Sequence, residues 1–194
     1  MKIATWNVNS VTARLPLVLK WLASERPDLL CLQETKCIDE RFPREAVAEL
    51  GYDSVTFGQR TYNGVAILVR SSVGSIDPLA GVERGFPEDP PDAQARMLVA
   101  EVGGIHIINV YIPNGQAVGT DKYQFKLEWI ERLRHFIDSR FKPDEKVFIC
   151  GDFNVAPEEI DVHDPKFWRG RILFSKAERE AIDHVKRWGF VDAF

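Results

Sequence analysis

Hydrophobic and polar positions alternate between two periods along this chain, and the alternation repeats. Ile3-Ala4-Thr5-Trp6 reads as a short strand, and Val11, Leu15, Val18, Leu19 and Leu22 recur at helical spacing until Pro27. A second apolar run, 28–33, completes a strand–helix–strand unit. The pattern returns in Ile105–Tyr111, in a helix over 121–141 carrying Tyr123, Leu127, Ile130, Leu133, Arg134 and Ile137, and in the strand Lys146–Cys150. Continuous apolar runs of this length predict strands covered on both faces, and right-handed crossovers bring both strands of a unit out at one edge.

Further elements are less regular. Pro43–Leu50 predicts a short helix stopped at Gly51, and Gly64–Arg70 and Met97–Val102 predict strands. Val73–Pro91 is rich in Gly and Pro and predicts a surface excursion. Pro157–Arg171, with Asp161, His163, Asp164, Trp168 and Arg169, has no period. Ser175 and Glu178 form a capping box opening a helix whose apolar stripe is Ala177, Ala181, Val185 and Trp188. Asp183 and His184 lie off that stripe and read as helix surface.

Polar chemistry concentrates at the strand ends. Trp6 runs into Asn7-Val8-Asn9, Leu32 into Gln33-Glu34-Thr35-Lys36, Val110 into Tyr111-Ile112-Pro113-Asn114, and Cys150 into Gly151-Asp152-Phe153-Asn154. Gly151 is expected to let the chain turn, so that Asp152 and Asn154 emerge at the carboxyl rim, where open α/β sheets build sites. For the last pentapeptide alone, a turn merely capped by Asp and Asn is an equal reading. The recurrence at four strand ends favours a cleft receiving Asn7, Glu34, Tyr111, Asp152 and Asn154.

These segments, with Asn63-Gly64-Val65-Ala66-Ile67-Leu68 and Gly189-Phe190-Val191-Asp192-Ala193-Phe194, resemble in order the signatures of the exonuclease III family. Its members are apurinic/apyrimidinic endonucleases of DNA repair within the endonuclease/exonuclease/phosphatase superfamily. The resemblance runs from residue 1 to residue 194. It implies a four-layer α/β sandwich of two packed β-sheets flanked by helices, within a single domain over 1–194. It also implies Mg²⁺, or Mn²⁺, and cleavage of double-stranded DNA at abasic sites or 3′ ends. The family's later Asp and Ser-Asp-His signatures have no counterpart here. The expectation is therefore a domain lacking its C-terminal strands and a 194-residue chain with little activity.

Roles follow from phosphodiester chemistry together with the resemblance. Glu34 is the expected metal ligand, with Asn7, Asn9 and Asp152 beside it, since Mg²⁺ takes hard oxygen donors. Asp152 is expected to orient or deprotonate the attacking water, held by Asn154. Tyr111, and also Asn7, act at the reacting phosphate. Asn114, Tyr62, Asn63, Arg60 and Arg70 are the substrate-binding candidates. An Asx-turn is the alternative for Asn9, and a solvated surface charge for each Arg. His106, flanked by apolar residues, reads as structural. Tyr111 stands where relatives acting on inositol phosphates or sphingolipids carry His. The competing readings are such a phosphatase or lipid phosphodiesterase, and an inactive DNA-binding or scaffold fragment.

Composition adds bounds. The chain has 194 residues, 45% hydrophobic and 28% charged, enough for one large core. A net charge of −4 does not advertise a DNA-binding face, although an acidic metal site tolerates it. Neither a signal segment nor a membrane-length apolar run is apparent, which points to a cytoplasmic protein, monomeric as a complete domain. Cys31, Cys37 and Cys150 suit buried reduced thiols.

Overall fold

The computed structural model describes residues 1–74 and 81–193. Two compact units emerge, one of Met1–Tyr111 with Lys146–Asp152, the other of Ile112–Glu145 with Phe153–Phe194.

The first unit holds two four-stranded sheets. One contains β1 (Ile3–Asn7), β2 (Leu29–Gln33), β3 (Tyr52–Phe57) and β4 (Val65–Arg70) in the order β1-β2-β4-β3. The other contains β5 (Val82–Arg84), β6 (Met97–Val102), β7 (Ile105–Tyr111) and β8 (Val147–Asp152) in sequential order. Among the described residues, only β1–β2 and β7–β8 are parallel pairs, and these are the two strand–helix–strand repeats. Helix α1 (Val11–Glu25) joins the first pair.

Strand β2 shows why its sequence is apolar throughout. Leu29 and Cys31 face the second sheet, in one core cluster with Ile67, Leu98, Ala100 and Ile107. Leu30 and Leu32 face the other way, against Val11, Val18 and Leu22 of α1. All five β2 residues are buried. Each fully buried Leu contributes roughly 1.5–3 kcal/mol of transfer free energy. The three cysteines are buried and unpaired.

The second unit contains α3 (Asp121–Arg140) packed against α5 (Lys176–Lys186). Two short helices complete the set, α2 (Arg44–Ala48) in the first unit and α4 (Pro165–Trp168) in the second. Among the described residues, no helix is long and apolar enough to cross a membrane.

Four local expectations are corrected. The turn-rich 73–91 stretch contributes strand β5, paired antiparallel with β6, while its residues 75–80, Pro78 included, lie outside the described residues, as does Phe194. Gly151 does not turn the chain. It stays in β8 opposite Val110, where a Cβ would lie 1.9 Å from the Val110 carbonyl oxygen, so the close pairing requires glycine. The left-handed turn comes at Asn154, with φ 49°. On α5 the buried residues are Glu178, Ile182 and Val185, and Ala177 is exposed. On α3 the fully buried residue at the corresponding place is Lys126, not Leu127.

Candidate active site

The loops after β1 and β2 are laced together. Ser10 N–H donates to the Glu34 carbonyl (2.7 Å) and Val11 N–H to that of Thr35 (3.1 Å). From the other side, Thr35 and Lys36 N–H donate to the carbonyls of Gly64 (3.0 Å) and Asn63 (2.9 Å). Gly64 admits no side chain, since a Cβ would lie 2.1 Å from Thr35 Oγ1. Asn9, Glu34 and Lys36 all take positive φ, at 43°, 53° and 53°. Such strain in non-glycine residues persists where surrounding contacts over-determine it, and it clusters at functional sites.

One carboxamide joins two acids. Asn7 Nδ2 donates to Glu34 Oε1 at 2.8 Å and to Asp152 Oδ2 at 2.7 Å. Its own oxygen accepts from Asn9 N–H at 3.1 Å. Asn7 therefore turns its nitrogen to the carboxylates and orients them, while its oxygen serves the Asn9 main chain. The Asx-turn at this place belongs to Asn7, and Asn9 is its recipient.

Lys36 Nζ meets Glu34 Oε2 at 2.9 Å and Asn9 Oδ1 at 2.5 Å. An ammonium held by these two oxygens marks a position where they converge on positive charge. The donor set is all oxygen and fits a hard divalent cation. Among the described residues, no group of three or more His, Cys, Asp or Glu forms a denser cluster. Burial works to raise the Glu34 carboxyl, but hydrogen bonds from Asn7, Lys36 and Tyr111, with the Lys36 charge, outweigh it and hold it below the usual range.

Tyr111 ends β7 opposite Asp152 in the parallel register. Its phenol is pushed up to about 12, first by burial, then by the charge of Glu34 and the hydrogen bond to it. It is thus a hydroxyl donor at neutral pH. Arg96 lies over its ring, Cζ 4.6 Å from the centroid, and Nη1 donates to the Tyr111 carbonyl at 3.1 Å. Burial lowers the Arg96 guanidinium, while Tyr111, Glu34 and Asp152 support its charge. Sequence reasoning missed Arg96, because it precedes an apolar strand and belongs to none of the polar strand ends. It also gave Lys36 no role, although the residue stands two positions after Glu34.

A buried polar bridge underlies these residues. Gln33 Nε2 donates to Asn109 Oδ1 (2.7 Å) and Thr5 Oγ1 (2.9 Å), and Asn109 Nδ2 donates to the carbonyls of Leu32 (3.0 Å) and Ala66 (2.9 Å). It ties the two sheets at one height, so the strand ends keep a fixed register.

In the second unit, Asn114 Nδ2 donates to Asn154 Oδ1 at 3.3 Å, and Asn154 Nδ2 donates to the Ile112 carbonyl at 3.0 Å. Lys126 Nζ donates to the carbonyls of both, 3.2 Å to Asn114 and 2.5 Å to Asn154.

Other candidates are placed differently. Asn63 is buried, donates to Gln59 Oε1 at 2.8 Å, and through its carbonyl holds the Glu34 loop; it is a structural residue and not a groove-facing one. Arg70 ends β4 at the opposite end of the strands from Glu34, where it pairs with Asp28. Antiparallel pairing sends β4 away from Glu34, so Arg70 is remote from the site. Arg60 and Tyr62 are exposed on the 58–64 loop, Tyr62 at 68%. His106 lies within β7, paired with Val147, and Asp183 is exposed on α5.

Residues 4–192 match the Endonuclease/Exonuclease/phosphatase family. The chain belongs to that family. Within it, the chain is 30% identical to exodeoxyribonuclease III of Haemophilus influenzae, covering all of this chain and 74% of that one, which places it in the exonuclease III group. It is 32% identical to the DNA repair nuclease APEX1 of Danio rerio and spans 62% of that protein's length. An AP endonuclease from Archaeoglobus fulgidus superposes with a TM-score of 0.91 at 38% identity, covering 99% of this chain and 72% of that one. A 3′ phosphatase, NExo from Neisseria, bound to a product DNA hairpin, superposes with a TM-score of 0.90 at 39% identity and the same coverage. The packed-sheet α/β architecture of this family member is thus the one its resemblance implied.

Proposed function

We propose that this family member hydrolyses DNA phosphodiesters at abasic sites or 3′ ends, with a divalent cation, Mg²⁺ or Mn²⁺. The observation that carries the reading is the single Asn7 nitrogen shared by Glu34 and Asp152, with Tyr111 opposite Asp152 in the strand register. The names of the relatives support a nuclease of DNA repair. Glu34 and the Asn9 carboxamide oxygen would hold the cation, with Asp152 nearby through Asn7. When bound, the cation would supply charge neutralisation at the phosphate.

The chain's own groups divide the remaining work. Asp152 accepts the proton of the attacking water as the new oxygen–phosphorus bond forms, and the leaving oxygen departs in line and takes its proton from solvent water. Asn7 keeps the Asp152 carboxylate aimed by one charge-assisted hydrogen bond. Tyr111, protonated at neutral pH, donates to a phosphate oxygen, and its stack on Arg96 fixes the ring. Asn114 would donate its amide to a phosphate oxygen, and Asn154 would support the water-orienting role of Asp152, the latter as the resemblance implies. Arg60 and Tyr62 are the remaining candidates for contact with DNA.

A second reading, removal of a 3′-phosphate from DNA, is favoured by the neighbour described as a 3′ phosphatase. The test presents an abasic duplex, a recessed 3′ end, a 3′-phosphate, an inositol phosphate and a sphingolipid, with and without Mg²⁺. Any turnover that the 194-residue chain retains should fall on the DNA substrates alone and be lost in Asp152→Asn. Turnover of the inositol phosphate or the lipid instead would overturn the reading. In parallel, Glu34→Gln should weaken Mn²⁺ binding, and equal affinity would remove Glu34 from the metal site.

A further inference from the structure

Among the described residues, Lys126 is the largest fully buried side chain, and it carries an ammonium. A lysine at 0% exposure needs compensation, because burying an unpaired charge is expensive. The compensation comes from three oxygens. Glu178 Oε1 lies at 2.5 Å, and the other two are the main-chain carbonyls of Asn154 at 2.5 Å and Asn114 at 3.2 Å.

Glu178 is fixed with equal completeness. Its Oε1 also accepts from Leu173 N–H at 3.0 Å, and its Oε2 accepts from Ser175 N–H (3.0 Å) and Ser175 Oγ (2.6 Å). Because the Ser175 hydroxyl gives its proton to Glu178, Tyr123 must donate in the 2.7 Å contact between Tyr123 Oη and Ser175 Oγ. Tyr123 and Lys126 both project from α3, so helix α3, the start of α5 and two loop carbonyls share one network. Gly115, next to Asn114, packs closely on the lysine: a Cβ would lie 3.0 Å from Lys126 Cδ and 3.0 Å from Ile172 Cδ1.

The two carbonyls are not arbitrary. Asn114 follows β7 by three residues and Asn154 follows β8 by two. Both side chains are linked to each other, and Asn154 holds positive φ. An ammonium that grips both main chains fixes where both carboxamides start. A network meant only to join α3 to α5 needs Glu178 and Ser175, not these loops.

We propose that Lys126 is a positioning residue for the reaction, setting the Asn114–Asn154 carboxamide pair through their main-chain carbonyls, with Glu178 as the counter-charge that lets it remain buried. The proposal rests on the nuclease reading for its catalytic consequence, but not for its structural one. Misplacement of such groups by about 1 Å costs on the order of 100-fold in rate.

The test uses the 194-residue chain and three variants, Lys126→Met, Glu178→Gln and the double variant. The double variant leaves no unpaired buried charge, so it keeps the experiment decisive if Lys126→Met does not fold. The first readout is the side-chain amide resonances of Asn114 and Asn154, with that of Asn7 as internal reference. Those two should shift or broaden in the double variant while Asn7 holds. In Glu178→Gln, where the ammonium loses its counter-charge but a Gln oxygen can still accept, they should move less than in the double variant. The second readout is cleavage of an abasic duplex, where kcat should fall about 10- to 100-fold with KM changed little. Unmoved Asn114 and Asn154 amides in a folded double variant would overturn the proposal, as would a loss carried wholly by KM. If the wild-type chain cleaves none of the substrates, the nuclease reading loses support while the amide readout still decides the role of Lys126.

Discussion

Two lysine–glutamate pairs in this chain use the same charges to opposite ends. Glu34 and Lys36 are two residues apart, on strained backbone, with side chains 19% and 26% exposed. Lys126 and Glu178 are 52 residues apart, on well-formed helices, and neither has any exposed side-chain surface. The open pair is reached by solvent, so Lys36 can move away from Glu34 and Asn9 without stranding a dry charge. The sealed pair is saturated by main-chain partners, and moving either member strands the other in a medium that solvates charge poorly. Charge kept for chemistry is partly wet and locally strained, whereas charge kept for architecture is dry and fully bonded.

The most severe way to break the sealed side is Lys126→Met, which leaves Glu178 buried without its cation. A loss of about 3–5 kcal/mol is expected in urea unfolding. A loss below about 1 kcal/mol would place this pair with surface salt bridges and erase the contrast. Next in size is Gly151→Ala. The added Cβ would meet the Val110 carbonyl at 1.9 Å, so β7 and β8 must part. About 1–3 kcal/mol of destabilisation is expected in the same assay, together with loss of the Tyr111–Asp152 register and of turnover.

On the open side, Lys36→Met should cost no more than about 1 kcal/mol. Its effect is instead on titration. Lys36 is one of the groups that hold the Glu34 carboxyl below its ordinary 4.5, so the substitution should raise it, as followed by carboxyl NMR. Because the folded value is depressed, Glu34 contributes stability above the unfolded value that is lost as the pH falls through the folded one. The variant should therefore lose less on acidification than the wild type.

The smallest effect concerns Tyr111. Its phenol titrates near 10 when unfolded and about 12 when folded. A raised value means that the folded state holds the proton longer. The contribution to stability is complete below pH 10 and is lost as the pH rises toward about 12. Ultraviolet titration of wild type against Tyr111→Phe should show no phenolate from this residue until that range. Ionisation near 10 would mean that Glu34 and burial do not act on it.

Much of the first unit was legible in the sequence. β2 is apolar at consecutive positions because both its faces are covered, and that leaves a direct mark on composition. The polar residues ending β1, β2, β7 and β8 are equally visible, since they interrupt apolar runs at fixed places. Asn63 and Arg70 were misread because exposure and strand direction were unknown: a buried amide and a remote arginine look the same on paper as groove-facing ones. The α5 stripe shifted for a related reason. A capping glutamate normally faces solvent at a helix start, and nothing local shows that Lys126 waits for it from 52 residues away.

The sequence by itself determined the strand–helix repeats, the family and the set of residues carrying oxygen and amide chemistry, because periodicity and short motifs are local. Only the tertiary structure decided which of those residues meet. That Asn7 serves two carboxylates, that Arg96 lies on Tyr111 and that Lys126 grips two loops are facts of long-range pairing. Such pairings are fixed by packing and by the need to satisfy every buried polar group at once, and that need acts in space rather than along the chain.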